Sequence, residues 1–377
     1  MTDIRLSRES ATRASVPIVV GTAGSPLVLR PPRLLDGPSW RATNLRDESD
    51  LRPAFGHRIP SWSRSVSHQA WADRVISAEA GAEAGSLVSF VVEWRGAVEG
   101  EISYQVDPRN GLVELSTWMS RSVPRELRRW SSGFLLERVL SLPEVSGVVA
   151  PVSLANPRPV DMLQAFGFVR RATVKGLRPY DGCWSDHDIW WLAGNRSSVT
   201  LVAAEVAASS HAAEHGSSTV ESPRRARDAV TMVAPAARAR LCAFRRRRRG
   251  PARQAIDVDV EGRTVTLRLG GSGLVEVDGT HVGVADLRHD AGTNALEAWA
   301  AVLQNDVVSA DAIVVAAIDI ATTRGARRVS WIARRSSVEA RAVERAGFTW
   351  EGLATPPVDA PDGTYGLWGL ALAAQPS

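Results

Sequence analysis

One succession of signals occurs twice in this chain of 377 residues, and it restricts the architecture more than any other feature. Each occurrence runs from a helical stripe to an apolar strand, a short helix, a Gly-Phe pair, a strand and an Asp-Gly turn into a last strand. In the first, Leu127, Trp130, Phe134 and Leu135 recur at helical spacing up to Leu140, Pro143 stops the helix, and 145–154 reads as a strand. Asn156 with Pro157 reads as an N-cap and first-turn pair, Val160, Leu163 and Phe166 as the buried stripe, and Gly167 as the closing residue before Phe168. Asp181-Gly182 then turns the chain into a strand over 186–192. In the second, Ser309 reads as the cap of a helix bearing Ile313, Val314, Ala317, Ile318 and Ala321, Gly325 ends it, and 327–333 is a strand. Ser336 and Glu339 read as a capping box, and Gly347-Phe348 and Asp362-Gly363 lead to a strand over 365–372. The interval from Gly-Phe to Asp-Gly is nearly the same in both, which implies an internal duplication.

Upstream the correspondence continues. Strands over 87–93, 98–105 and 112–118 are joined at Arg95-Gly96 and Arg109-Asn110-Gly111, an antiparallel meander. Val277-Asp278-Gly279 and Gly283 match Trp94-Arg95-Gly96 and Gly100, and Glu297 matches Glu114. Helices over 36–46 and 67–76 open the first copy, and the second has no room for them. The expected organisation is a domain over 27–194, a linker over 195–254 that composition reads as disordered, and a shortened domain over 255–373. The linker holds twelve Arg, including the run Arg245 to Arg249, against Glu205, Glu214, Glu221 and Asp228, a local +8, so the rest of the chain, whose net charge is +4, sums to −4. Such a run is a solvated tether or a docking strip for an anionic partner such as RNA or an acidic lipid surface. Cys183 and Cys242 lack partners at metal-ligand spacing and fit a reducing compartment such as the cytoplasm. His211 and His215 have no third ligand nearby, so no metal is expected, and no membrane span is expected either.

The first copy resembles the GNAT acyltransferase superfamily, and within it the RimJ/RimL type that acetylates the N-terminal amine of ribosomal proteins. Leu29-Arg30 with Asp36 and Trp40, Gly96 and Gly100, Glu114 with Trp118, and Asn156 eleven residues before Gly167-Phe168 carry the likeness. In the second copy Gly347-Phe348 followed by Glu351-Gly352 carries it. The resemblance implies an α/β fold of tandem GNAT-like domains. Each would be a mixed, mostly antiparallel sheet flanked by helices, the second truncated at its N-terminus. It also implies acetyl-CoA as co-substrate, seated where the fourth and fifth strands splay, with its diphosphate on a glycine-containing loop at a helix start.

At that loop this sequence departs from the family's form. Arg125, Leu127, Arg128, Arg129, Trp130 and Ser131 are the expected cofactor-binding positions, with Leu127 and Arg129 where glycines stand in the family. If those two need positive φ, they cost about 2–4 kcal/mol together. Three exposed arginines return about 1–3 kcal/mol. A weakened acetyl-CoA site is therefore expected in the first copy. None is expected in the second, where Asp306-Val307-Val308-Ser309-Ala310-Asp311 has neither glycine nor arginine.

Transfer to an amine needs a base and then an acid for the leaving thiolate. Glu114 is the candidate base, or an edge carboxylate paired with Arg. Asn156 is the candidate beside the cofactor arm, or a cap alone, with Pro159 where relatives carry a serine. Tyr180 is the candidate acid, or a packing residue at the rim. Trp62 and Trp71 are expected to shape the acceptor groove, the ordinary alternative being core packing. The expected activity is acetyl transfer to a primary amine on a protein N-terminus or a small molecule; the alternative is an inactive pseudo-acyltransferase that serves as a scaffold.

Overall fold

The computed structural model describes residues 5–7, 18–20, 27–55, 61–107, 110–181, 183–209, 231–232, 234–240, 243, 254–269, 271–290, 295–302, 306–354 and 364–372. Arg109, Gly182, His211, His215, Cys242, Arg245 to Arg249 and the Asp362-Gly363 turn lie outside them.

The first half begins with β1 (Ile18–Val20) and β2 (Leu27–Arg30), a 3-10 turn (Leu34–Asp36), and helices α1 (Gly37–Arg46), α2 (Glu48–Phe55), α3 (Trp62–Ser65) and α4 (His68–Glu83). A meander of β3 (Leu87–Trp94), β4 (Ala97–Val106) and β5 (Leu112–Met119) follows. It leads into α5 (Arg125–Leu140), β6 (Gly147–Ser153), α6 (Val160–Ala165), β7 (Val169–Tyr180) and β8 (Cys183–Ala193). Helix α7 (Arg196–Ser209) comes next. The second half contains β9 (Gln254–Val260), β10 (Arg263–Leu269), β11 (Gly271–Val277), β12 (Thr280–Asp290) and β13 (Ala295–Val302). After these come α8 (Val307–Thr323), β14 (Arg328–Arg334), α9 (Val338–Arg345), β15 (Thr349–Ala354) and β16 (Tyr365–Ala371).

The two halves share a strand order. The first half orders its strands β3-β4-β5-β6-β8-β7 and the second β11-β12-β13-β14-β16-β15, within one sheet of sixteen strands. In each half the crossover joins a parallel pair, β5 with β6 and β13 with β14, while the neighbouring strands pair antiparallel. Local chemistry repeats too. Arg95-Gly96 and Asp278-Gly279 all have positive φ, the requirement of a two-residue hairpin turn, and a register shift precedes each turn, at Val92/Glu93 and at Val275/Glu276. The main-chain bonds from Phe168 N–H to Leu163 O and from Phe348 N–H to Val343 O close α6 and α9 identically, each 3.0 Å. Between β10 and β11 there is room for residue 270 alone, where the first half inserts four helices between β2 and β3.

Three apolar clusters form the core. One lies between the first half's sheet and α5, α6 and α7, and a second between the other half's sheet and α8 and α9. The third lies on the opposite face of β3 to β5 under α1, α3 and α4, where the Trp40 and Trp71 rings approach to 5.0 Å. Glu101 is buried there, and its carboxylate accepts from Trp40 Nε1 (2.8 Å), Trp118 Nε1 (2.9 Å) and Arg74 Nε (2.6 Å). These bonds offset its desolvation.

Several helix starts differ from the sequence reading. Helix α6 starts at Val160 behind Pro159, so Asn156 does not cap it; the residues before Pro157 and before Pro159 are disfavoured in the helical region, which delays the start. Asp306 rather than Ser309 caps α8, accepting from Val308 N–H at 3.0 Å, and Ser337 rather than Ser336 caps α9. The Glu339 carboxylate accepts from Val302 N–H at 2.7 Å instead of closing a capping box. The stretch expected as a disordered linker opens with α7, whose Val202 and Val206 pack into the first core, and Met232 reaches the third core. A three-residue stripe of Val199, Val202 and Val206 suffices where α5 offers an apolar face.

The two halves meet where β15 pairs antiparallel with β7, Gly352 opposite Ala172. Gly352 has φ +149°, and a Cβ there would lie 2.5 Å from Arg171 O and 2.6 Å from Ala172 Cα. Beside it Arg328 and Glu351 form an ion pair whose side chains are 5% and 2% exposed. Arg328 Nη1 donates to Lys175 O at 2.7 Å and Lys175 N–H donates to Glu351 Oε1 at 3.3 Å, so the pair grips the main chain of β7. Breaking a buried pair by removing one partner costs about 3–5 kcal/mol. Glu351→Ala is expected to lose that amount in urea denaturation, and Gly352→Val to separate the unfolding of the halves into two transitions.

Candidate functional site

Strand β5 pairs with β6 at Leu112, Val113 and Glu114, opposite Gly147, Val148 and Val149, and no further. Beyond Glu114 and Val149 the ladder ends, although the strands run on to Met119 and Ser153. Helix α5 starts at this open end. Pro124 is its N-cap and no side chain caps it; the first helical bond runs from Arg128 N–H to Pro124 O, so the N–H groups of Arg125, Glu126 and Leu127 precede the ladder.

The loop between β5 and α5 is held from below. Arg46 donates to Glu99 at 2.6 Å and to Ser120 Oγ at 2.7 Å, Ser122 Oγ donates to Glu99 at 2.7 Å, and Ser120 N–H donates to Glu99 O at 2.7 Å. Burial works against the Glu99 charge, but the bonds from Arg46 and Ser122 outweigh it and hold the carboxyl below its ordinary range. The bonds to Asp47 and Glu99 raise Arg46 well above its own ordinary value. Across the mouth, Asp50 on α2 accepts from Arg121 of this loop at 2.8 Å and from Arg158 beyond β6 at 2.9 Å.

The expectation of backbone strain at Leu127 and Arg129 is corrected by the structure. Both lie inside α5, and among the described residues the non-glycine positive φ angles fall at Arg95, Asp181, Glu261 and Asp278 only. Leu127 and Trp130 are core residues, Trp130 stacking on Phe134 at 5.0 Å, and Ser131 is fully buried, with its hydroxyl donating to Leu127 O at 2.8 Å. Arg129 pairs with Glu205 of α7 at 2.5 Å, while Arg125 is exposed and Arg128 half-buried.

No family model matches the chain, and no curated protein does. Solved structures do. RimJ of Mycobacterium smegmatis in complex with CoA-disulfide is 19% identical with a TM-score of 0.46, the match covering 53% of this chain and 97% of that one. The ribosomal-protein-S5-alanine acetyltransferase of Vibrio fischeri is 15% identical (TM-score 0.41, 45% of this chain and 94% of that one). The microcin C7 self-immunity acetyltransferase MccE in complex with acetyl-CoA and AMP is 10% identical (TM-score 0.39, 44% and 92%). Over about half of its length the chain is similar to solved GNAT acetyltransferases. Identities this low say nothing of substrate or mechanism.

On the face of the sheet away from α5, the halves line a half-open pocket of about 450 Å³, with a second of about 190 Å³ adjoining it through Leu112, Val149 and Ile332. Its walls are equivalent positions. Glu114 stands opposite Gln105 and Val149 in the first half, as Glu297 stands opposite Arg288 and Ser330 in the second, and all six line the cavity. The pairs Pro151 with Ile189 and Ile332 with Leu367 complete the correspondence. A bulge in β7 between Val174 and Arg178 sends Arg178 over this space, where it binds Glu114 with both terminal nitrogens, at 2.7 and 2.8 Å. Arg288 is held by Asp286, 2.9 Å, a buried carboxylate on its own strand.

The structure does not bring the sequence-predicted residues together. Glu114 is in the last pair of the β5–β6 ladder. Asn156 follows the end of β6, its N–H bonded to Ser153 O at 2.8 Å, and Tyr180 is at the tip of the β7–β8 hairpin, where Asp181 N–H donates to Pro53 O of α2 at 2.7 Å. Neither lines the cavity. Trp62 and Trp71, expected at an acceptor groove, are buried in the third core, with their indole N–H groups bonded to Asn44 O and Arg33 O, each 2.9 Å. Arg178, Arg288 and Asp50 were not among the candidates. The equivalence of Glu114 and Glu297 is the signal that points to the first two. Among the described residues no group of three or more His, Cys, Asp or Glu is arranged to hold a metal ion, and no helix is long and apolar enough to cross a membrane.

The placement of Trp71 is checked by stability. Trp71→Ala is expected to cost about 3–5 kcal/mol in chemical denaturation, the range for a large aromatic removed from a core; a groove-lining indole would cost far less.

Proposed function

We propose that this protein is an acyltransferase that moves an acetyl group from acetyl-CoA to a primary amine. The half 27–194 carries the thioester and the half 255–373, read as a second and shortened GNAT-like copy, walls in the acceptor. The single observation that supports this reading is the end of the β5–β6 ladder at Glu114 and Val149, with the uncapped start of α5 beyond it. Strands that run on past their ladder leave main-chain groups available to a guest, and a helix start offers N–H groups and the positive end of its dipole to a diphosphate. The residues present fit such a group. The N–H groups of Arg125, Glu126 and Leu127 and the side chains of Arg125 and Arg128 would hold the diphosphate, while Leu127, Trp130 and Ser131 support the helix from within.

Acetyl-CoA supplies an acyl carbon activated as a thioester, at which a C–N bond forms and the C–S bond breaks, one proton passing overall from nitrogen to sulfur. Glu114 is the carboxylate where the ladder ends. While Arg178 holds both its oxygens it orients an ammonium, and it takes a proton only when that pair opens. Asn156 and Tyr180, at the open end, are the proposed donors to the cofactor arm and to the leaving sulfur. The amine belongs to a small molecule or to a protein N-terminus. A second reading, a non-catalytic scaffold, is favoured by Asp50 spanning the mouth between Arg121 and Arg158 and by Glu126 at the diphosphate position.

Titration calorimetry with acetyl-CoA and mass spectrometry of an amine panel decide between them. Saturable heat, weakened about tenfold or more in Arg125→Glu/Arg128→Glu, with acetylated product, is expected. No heat at millimolar acetyl-CoA leaves the scaffold.

A further inference from the structure

We infer that the imidazole of His187 takes the proton of the attacking amine, through Nε2, while Glu114 stays bound to Arg178. This rests on the acyl-transfer reading above and names a residue that reading does not use.

The chemistry of the ring follows from one bond. His187 Nδ1 lies 2.8 Å from Ser185 O. A carbonyl oxygen can only accept, so Nδ1 carries the hydrogen, and in the neutral ring Nε2 is left with the lone pair. Among the described residues no group bonds Nε2. His187 is 6% exposed, and burial disfavours the charged form. Burial is the chief cause that holds its pKa below the ordinary imidazole value. Arg178 of β7 pushes the same way, while the bond to Ser185 O, Asp186 of β8 and Glu114 of β5 oppose it. A neutral imidazole with a fixed tautomer is a base ready for use near pH 7. Glu114 is not, because Arg178 holds both of its oxygens, at 2.7 and 2.8 Å.

Register places the ring beside the proposed reaction. Along β8, His187, Ile189 and Trp191 share a face and stand opposite Ser153, Pro151 and Val149 of β6. Val149, Pro151 and Ile189 line the pocket together with Glu114, so His187 belongs to the same face, at the next pair along. Ser153 lies beyond Val149, the last β6 residue paired with β5. His187 therefore stands beside the stretch of β6 that has no ladder to β5, the stretch proposed for the thioester. Strand order adds a second constraint. In the order β5-β6-β8-β7, the Arg178 side chain crosses β8 and β6 on this face to reach Glu114, which brings both charges within range of the ring. On the other face Trp190 and Leu192 pack in the core with α5, so base and diphosphate would stand on opposite sides of the sheet. In the step, the amine nitrogen bonds to the acyl carbon and gives its proton to Nε2 as the C–S bond breaks. The proton then passes to the sulfur, and the ring is neutral again.

The test uses the full chain. His187→Asn keeps a side-chain donor for Ser185 O and removes Nε2. Thermal melting and calorimetry with acetyl-CoA establish that the variant folds and binds the cofactor as the wild type does, and acetylation of the amine panel is then followed against pH. The expected wild-type rate falls as pH drops through the imidazole pKa. The variant is expected to be slower by about a hundredfold or more and to lack that limb. Nitrogen-15 NMR of the wild-type ring, assigned with His187→Gln as a second variant, is expected to show a proton on Nδ1 and none on Nε2 at pH 7. A folded His187→Asn with wild-type acetylation, or a ring protonated on Nε2 at pH 7, overturns the inference and leaves the acyl-transfer reading standing. A wild type that binds no acetyl-CoA and acetylates no amine removes that reading, and this role with it.

Discussion

The arrangement depends on a narrow seam. Two similar sheets become one because β15 reaches β7 at Gly352 and Ala172, and because Arg328 and Glu351 close on the main chain of Lys175. The contact is short, so its strength lies in what is buried. An ion pair removed from water is tolerated when its remaining donors and acceptors are satisfied, and here the Lys175 N–H and C=O and the Ser330 hydroxyl satisfy them. Lys175 is the only lysine of the chain, yet its main chain rather than its charge makes these bonds. The same bulge that presents Lys175 to the seam carries Arg178 to Glu114, so one irregularity in β7 serves both the joint and the cavity.

How much of this was legible follows the range of the interactions. The hairpins at Arg95-Gly96 and Asp278-Gly279, the strands between them and the Gly-Phe helix endings are set by turn chemistry within a few residues, and each appears where the pattern places it. Helix starts were less legible because neighbouring residues compete for the same cap: Asp306 takes the role expected of Ser309, and two prolines displace the start expected at Asn156. Helix α7 was hidden by an Ala/Ser composition that is stable only against α5. The seam was not legible at all. Nothing local to Glu351-Gly352 says that its partner is a bulged strand far upstream in the chain.

The candidate site shows the same division. Glu114 and Glu297 were matched with each other in the sequence, but that they would line one space follows only from two halves facing each other. The loop glycines missing at Leu127 and Arg129 suggested strain, yet both residues lie inside α5 without positive φ, with Leu127 and Trp130 turned into the core. Trp62 and Trp71 were read as groove residues because they lie where the resembled family forms its acceptor groove, whereas their burial is set by α1, α3 and α4 closing over Glu101. In each case the residue type was right for chemistry and the packing around it decided the role.

If the halves form one sheet around a shared cavity, the main-chain N–H groups at the seam are as well protected as those of the central strands. Hydrogen exchange of the full chain, read at Lys175 and Gly352, measures this directly. Protection at both that rises and falls with global stability is the predicted result. Exchange at these amides as fast as in an unstructured peptide, with the cores of both halves still protected, would contradict the account.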